Sequence, residues 1–253
     1  MDYNQNIEGG AKAFYIQRLG NKINDIKYFE KYLPFDVKNV VEPFGGSFAV
    51  IRKIYYDDKY NKYVNDMDPM LYYIYIHPNE LKKGYMKWNE INERKINSDK
   101  KKELLQKSNL PKHIKEYLEN SMFVRGTVTK SKNIDNIDED IEFIKKINFS
   151  HEDAFKIIDK FRTKENTFIF LDPPYLFSDN SSYASQNEDT DMTDYYLKFL
   201  DILNDKTTKA KIMLIINDMK ILRELYKKYI KGDYEKIYQI GKKKSKHLVI
   251  TNY

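Results

Sequence analysis

Asp172-Pro173-Pro174-Tyr175 sets an acid, two rigid imino acids and an aromatic ring in consecutive positions. Thr167-Phe168-Ile169-Phe170-Leu171 precedes them, and an apolar run of this kind closed by proline reads as a buried strand that stops abruptly. Such a cluster at a strand end suits one task, gripping a planar base by its exocyclic amine. The Asp172 carboxylate can accept one amine N–H, and the Pro173 carbonyl, held extended by Pro174, can accept the other. Two acceptors on one –NH2 draw its lone pair out of conjugation and toward an electrophile, while Tyr175 stacks on the base face. The same residue types also make ordinary turns, so the chemistry requires a second element that supplies the electrophile.

That element lies upstream, in Asn39-Val40-Val41-Glu42-Pro43-Phe44-Gly45-Gly46-Ser47. A short apolar strand runs into an acid, then adjacent glycines, then a helix-like segment reaching Ile54. Glycines at a strand-to-helix turn let a ligand approach the backbone closely. The next apolar stretch, Tyr63-Val64, ends in Asn65-Asp66, where an acid after the strand can hold ribose hydroxyls. Glycine turn, acid and amine-gripping tetrapeptide, in that order, make a site for a nucleoside-type cofactor beside an amine acceptor. S-adenosylmethionine (SAM) meets both needs.

In these motifs the chain resembles the Dam-like DNA adenine-N6 methyltransferases, which include small phage enzymes. The resemblance runs from Gly20-Asn21-Lys22 through Glu42-Pro43-Phe44-Gly45-Gly46-Ser47, Asn65-Asp66 and Asp172-Pro173-Pro174-Tyr175 to Leu248-Val249-Ile250-Thr251-Asn252-Tyr253. It implies that Lys22, Glu42, Phe44, Gly45, Gly46, Ser47, Asp66, Asp153 and Asp172 bind SAM, with Lys22 beside the cofactor methionine and Asp153 near its adenine. It makes Asp172, Pro173, Pro174 and Tyr175 catalytic. The chain departs from the family at two positions. Phe48 stands where a small residue, usually glycine, is common, and Arg18 stands two residues before Gly20 where an aromatic is frequent.

The elements that must position these residues follow from periodicity and punctuation. Residues Ala11 to Tyr32 carry spaced apolar positions and read as mainly helical, interrupted at Gly20. Strand-like runs recur at Val40–Glu42, Tyr63–Asn65, Phe168–Leu171, Lys211–Ile216 and Leu248–Thr251, with amphipathic stretches at Asp194–Leu203 and Met219–Tyr229. Alternation of this kind argues for an α/β fold, a Rossmann-like mixed sheet flanked by helices. No crossover helix fits after Asp233–Ile240, so an antiparallel hairpin should close the sheet. Ligands of open α/β sheets sit beyond the carboxyl ends of strands, and Glu42, Asp66 and Asp172 all occupy such ends.

Residues 78–146 interrupt the alternation, which gives a catalytic domain of residues 1–77 and 147–253 and an inserted lobe. The insertion is lysine-rich, helix-like at Lys100–Leu105 and Lys112–Asn120, and then reads as a hairpin around Gly126. By the resemblance this lobe recognises the target, with Arg125, Lys130 and Lys132 on the nucleic acid. A loop, 176–190, follows the tetrapeptide, with Tyr183 able to pack near the base. Lys242-Lys243-Lys244-Ser245-Lys246 is a basic run that is a solvated face or a second phosphate contact.

Composition bounds the remaining possibilities. At 253 residues the chain can bury one sizeable core plus an insertion, and a net charge of +6 suits a polyanionic partner. The absence of cysteine rules out disulfides and thiolate sites, and the four histidines show no ligand spacing, so no metal is implied. With no apolar leader and no run near ~18 apolar residues, the reading is a cytoplasmic protein of bacterial or viral origin without a membrane partner. The expected function is SAM-dependent methylation of adenine N6 in double-stranded DNA, with the target base flipped from the stack. RNA adenine methylation, or a non-catalytic nucleic-acid-binding homologue, stand as alternatives. The oligomeric state is left open.

Overall fold

Seven strands form one sheet because their residues alternate between two apolar environments. Val40 faces one hydrophobic cluster and Val41 the other; Phe168 and Phe170 divide from Ile169 and Leu171 in the same way. A computed structural model describes Ile16, residues 22–124, 127–129, Lys132, Ile134, and residues 137–175, 192–237 and 244–253. In chain order the elements are α1 (Ile26–Phe29), β1 (Asn39–Glu42), α2 (Ala49–Ile54), β2 (Asn61–Asn65), α3 (Pro69–Ile76), α4 (Pro78–Asn92), α5 (Ser98–Gln106) and α6 (Lys112–Met122). There follow β3 (Phe123–Val124), β4 (Thr127–Val128), α7 (Ile137–Ile144), β5 (Asn148–Ser150), α8 (Ala154–Arg162) and β6 (Thr167–Leu171). The chain ends with α9 (Met192–Asn204), β7 (Lys211–Asn217), α10 (Lys220–Leu225), β8 (Ile230–Ile237) and β9 (Lys244–Thr251).

The sheet order is β5-β2-β1-β6-β7-β9-β8. Pairing is parallel from β5 through β7, whereas β9 runs antiparallel to both β7 and β8. This is a Rossmann-like mixed sheet, and the expected closing hairpin is present. From β1 the chain winds outward through β2 to β5, then returns to β6 on the other side of β1. Strand order therefore reverses between β1 and β6, the switch point where open α/β sheets bind ligands. The glycine turn follows β1 and the tetrapeptide follows β6.

One sheet face is covered by α1, α2, α3 and the inserted helices, whose Trp88, Leu105, Ile114 and Leu118 join the cluster containing Val40 and Phe168. The other face is covered by α8, α9 and α10 through residues such as Ile158, Phe199 and Leu222. The inserted segment thus shares its apolar core with the sheet, and its β3–β4 hairpin pairs Phe123 with Val128.

Two expectations change. Between Lys22 and Tyr32 the chain is not continuous helix: turns lead into the four-residue α1, and a 3-10 turn at Glu30–Tyr32 ends it ahead of Pro34. The amphipathic stretch Met219–Tyr229 is helical only over Lys220–Leu225. The edge strand β5 carries no apolar signal of its own, because Asn148 and Ser150 flank a single Phe149.

Candidate active site

The turn after β1 is hydrogen-bonded at nearly every step. Gly45 N–H donates to the Asn65 carbonyl at 2.7 Å, and Gly46 N–H donates to Asp66 Oδ2 at 2.8 Å. The Gly46 carbonyl accepts the Tyr75 hydroxyl at 2.6 Å, and Phe48 N–H donates to the Gly45 carbonyl at 2.6 Å. A Cβ on Gly45 would stand 2.5 Å from Val64 Cγ1, so only glycine lets the turn lie this close to β2. Gly46 has φ +51° and open space where a Cβ would stand.

Phe48, the departure from the family pattern, keeps the backbone conformation that glycine favours, with φ 37° and ψ 49°. That conformation costs an L residue roughly 1–2 kcal/mol. Burial of the side chain, which meets Tyr75 and Phe149 edge-on, offsets it by up to ~3 kcal/mol. Phe48 cannot cap α2 from its own position, and Glu42 does so instead: its Oε1 accepts the Ile51 N–H at 2.6 Å. Burial pushes the Glu42 carboxyl up to about 8, against the pull of that backbone N–H and of Arg52.

Asp66 lies at the end of β2, half-buried, with Oδ2 on Gly46 and Oδ1 accepting from Asp68 N–H at 2.9 Å. Asn65 is a residue whose role the sequence does not advertise. Its Nδ2 donates to the Pro43 and Glu152 carbonyls, and its Oδ1 accepts from Ser150 Oγ and Glu152 N–H, all within 3.0 Å. One buried amide therefore locks the glycine turn to the segment that carries Asp153. Asp153 itself caps α8, with Oδ1 accepting from Phe155 N–H at 2.9 Å. Beside it stands an aromatic wall that sequence reading leaves out except for Phe44: Phe155 meets Tyr195 and Phe199, and Phe44 meets Phe199. Buried Ser47 completes the turn.

The tetrapeptide is supported differently. Lys22 Nζ donates to Asp172 Oδ2 at 2.7 Å, joining two groups 150 residues apart. Burial opposes the Lys22 charge, but Asp172 holds the ammonium above its ordinary value. Burial pushes the Asp172 carboxyl up while Lys22 pulls it down. Behind them Asp25 pairs with Lys236 at 2.8 Å, so four charges of alternating sign lie under the loop. The Tyr196 hydroxyl donates to the Pro174 carbonyl at 3.3 Å.

On the insertion, Lys132 is tied to α4 by Asn89, whose side chain bonds both its backbone N–H and its carbonyl. Burial lowers its ammonium pKa. Arg125, Lys130, Tyr183, Arg18, Lys242 and Lys243 lie outside the described residues. Among the described residues no cluster of potential metal ligands occurs, and no helix is long and apolar enough to cross a membrane.

The geometry agrees with comparisons to known proteins. Residues 120–245 match the family model described as D12 class N6 adenine-specific DNA methyltransferase. Over 263 aligned residues the chain is 27% identical to the type II methyltransferase M.CviBI of Paramecium bursaria Chlorella virus NC1A, covering 92% of this chain and 97% of that protein. A solved structure described as the delta-N METTL16 MTase domain aligns over 92% of this chain and 82% of its own with 8% identity and a TM-score of 0.40.

Proposed function

We propose that this chain, a Dam-like adenine-N6 DNA methyltransferase by its motifs and its matches, transfers the methyl group of SAM to N6 of an adenine swung out of a DNA duplex. The observation that carries the reading is the pairing of two turns at the strand-order reversal, one with open space beside a glycine and one with a half-buried carboxylate beside consecutive prolines. The residues fit the cofactor. Gly46 leaves open space where a side chain would stand, Asp66 offers a carboxylate for the ribose diol, and Phe44 and Phe155 an apolar wall near Asp153 for the adenine ring. SAM, when bound, supplies an electrophilic methyl group.

The chain's own residues do the rest. Asp172 accepts one N6 hydrogen through the oxygen that Lys22 leaves free, and the Pro173 carbonyl accepts the second. Lys22 orients Asp172 and opposes the rise that burial imposes on its carboxyl, favouring the ionised form, which is a stronger acceptor than a neutral acid. Tyr175 stacks on the base. Catalysis is then chiefly placement of a polarised amine, and no general base has to act before attack. A base inside a duplex cannot reach this buried site, so it must be unstacked first, at a cost of a few kcal/mol. Residues 78–146 form the lobe that meets DNA, with Arg125 reading a base edge and Lys130 and Lys132 on phosphates.

Incubation with SAM and plasmid DNA, followed by base-resolution mapping of methylated adenine, tests the reading. Methylated adenine in a fixed sequence context is the expected result. Methylation of RNA but not DNA would move the substrate to RNA, and nucleic-acid binding without SAM binding would make the chain a non-catalytic homologue.

A further inference from the structure

His247 on β9 is fully buried, and neither of its ring nitrogens has a hydrogen-bond partner among the described residues. The buried Tyr234 hydroxyl on β8 has none either. Apart from Phe29, which meets Tyr234 at a tilt, the rings these two residues contact are each other, Tyr28 and Tyr175. Tyr28 of α1 stacks on Tyr234 with centroids 5.0 Å apart and planes 9° from parallel. Tyr234 stacks on His247 at 5.0 Å and 18°. His247 then meets Tyr175 at 5.4 Å, with the planes inclined by 53°. Four rings run from the exposed Tyr28 to the last residue of the tetrapeptide.

Buried polar atoms are nearly always partnered, and an orphaned one costs free energy that apolar side chains would not incur. Filling space is therefore a poor account of a histidine and a tyrosine here. Their position is a better one. Tyr175 has Lys22 Nζ 5.3 Å from its ring centre on one flank and His247 on another, and the chain beyond it lies outside the described residues. Burial, with Lys22 and Lys236 close by, pushes the imidazole down to about 4, so the ring is neutral near pH 7 and tolerates the Lys22 charge. The column stands on the β8–β9 pairing, where Tyr234 lies opposite His247, and on α1.

We infer that the stacked column Tyr28–Tyr234–His247 fixes the orientation of the Tyr175 ring, which makes His247 and Tyr234 positioning residues for methyl transfer. The inference rests on the function proposed above. Its physical content is that a base-stacking ring held in one orientation presents the amine in line, whereas a loosely held one does not.

The test uses the full chain and the substrate site found by methylation mapping. His247→Leu removes the ring that touches Tyr175 and should lower kcat by roughly tenfold while the Kd for SAM stays within about twofold. A duplex with 2-aminopurine at the target adenine adds a readout that fold stability does not move. At saturating protein the flipped base should be brighter with His247→Leu than with wild type, because it stacks less firmly on Tyr175. Should His247→Leu fail to fold, the Tyr234 pair decides: Tyr234→Leu should slow transfer, and Tyr234→Phe, which keeps the ring, should recover most of the lost rate. Wild-type kcat and fluorescence in His247→Leu would overturn the inference, as would a Tyr234→Phe as slow as Tyr234→Leu. A wild-type chain that methylates no adenine would instead remove the function, and the column's role with it.

Discussion

The turns after β1 and β6 sit on neighbouring strands, yet they are held in opposite ways. The glycine turn is supported from within and from the next strand: Gly45, Gly46 and Phe48 bond to Asn65, Asp66, Tyr75 and each other. The tetrapeptide is supported from afar, by Lys22 150 positions upstream, by Tyr196 and by the ring of His247. A turn that binds a cofactor at every cycle gains from being preformed. A turn that must admit and release a base gains from contacts that can be exchanged. Substitutions that touch one turn should therefore separate cofactor affinity from turnover.

Asp172→Ala gives the largest separation. Removing the carboxylate takes away one amine acceptor and leaves every bond of the glycine turn in place. Turnover should fall by about 10²–10³, in the range for losing a preorganised polar contact in a transition state. SAM affinity, read by calorimetry, should change little. Equal loss of both would mean that the two turns are one mechanical unit and that Asp172 is chiefly structural.

Asp66 and Lys22 sharpen the contrast from each side. Asp66→Ala should weaken SAM binding at least about tenfold, since a charge-assisted hydrogen bond contributes ~1.5–3 kcal/mol. It also strips the acceptor from Gly46 N–H, which loosens the preformed turn. Lys22→Ala leaves the half-buried Asp172 carboxylate without its ammonium partner and should act mainly on turnover. A Lys22→Ala defect confined to SAM affinity would instead put its ammonium on the methionine carboxylate, as the family resemblance implies.

Much of this contrast is legible in the sequence, though not its wiring. The three strand ends are visible because Val40-Val41, Tyr63-Val64 and Phe168–Leu171 are apolar runs stopped by acids, and the parallel pairing places those acids on one edge. Order along the chain also gives the closing hairpin. What stays hidden is which partner each acid finds. Glu42 reads as a cofactor residue, but its carboxylate is turned to the first turn of α2, because Phe48 offers that helix no cap. Asn65 looks like a spacer before Asp66, yet it clamps three segments through contacts spanning 22 to 87 residues. His247 carries no spacing signal, and only the β7–β9 register, which sets it opposite Asn217, brings it to Tyr175.

Glu42→Gln probes the support of the glycine turn without removing the cap, since the amide oxygen can still accept from Ile51. Folding raises the Glu42 carboxyl from about 4.5 to about 8, so the native protein holds a proton that the unfolded chain gives up in that window. Its contribution to stability is fully present below pH 4.5 and is lost as pH rises through 8. Denaturation midpoints of the wild type should fall between pH 5 and 8 more steeply than those of Glu42→Gln. Parallel pH profiles for the two proteins would show that Glu42 is ionised in the folded state.

The smallest effect should come from Tyr196→Phe, which removes a hydroxyl bonded to the tetrapeptide. The Tyr196 hydroxyl donates to the Pro174 carbonyl over 3.3 Å, a long bond of the neutral kind that typically contributes ~0.5–1.5 kcal/mol. The ring stays buried against Phe199, and the Tyr196 carbonyl still accepts from the Tyr226 hydroxyl, so packing of α9 is kept. Any slackening is therefore felt at Pro174, one residue from the Pro173 carbonyl and one from Tyr175. Turnover should drop by about two- to tenfold, the kinetic equivalent of that bond, with SAM affinity unchanged. A variant that loses SAM affinity instead would tie α9 to the cofactor side of the site, through Tyr195 and Phe155, and the two turns would no longer be independent.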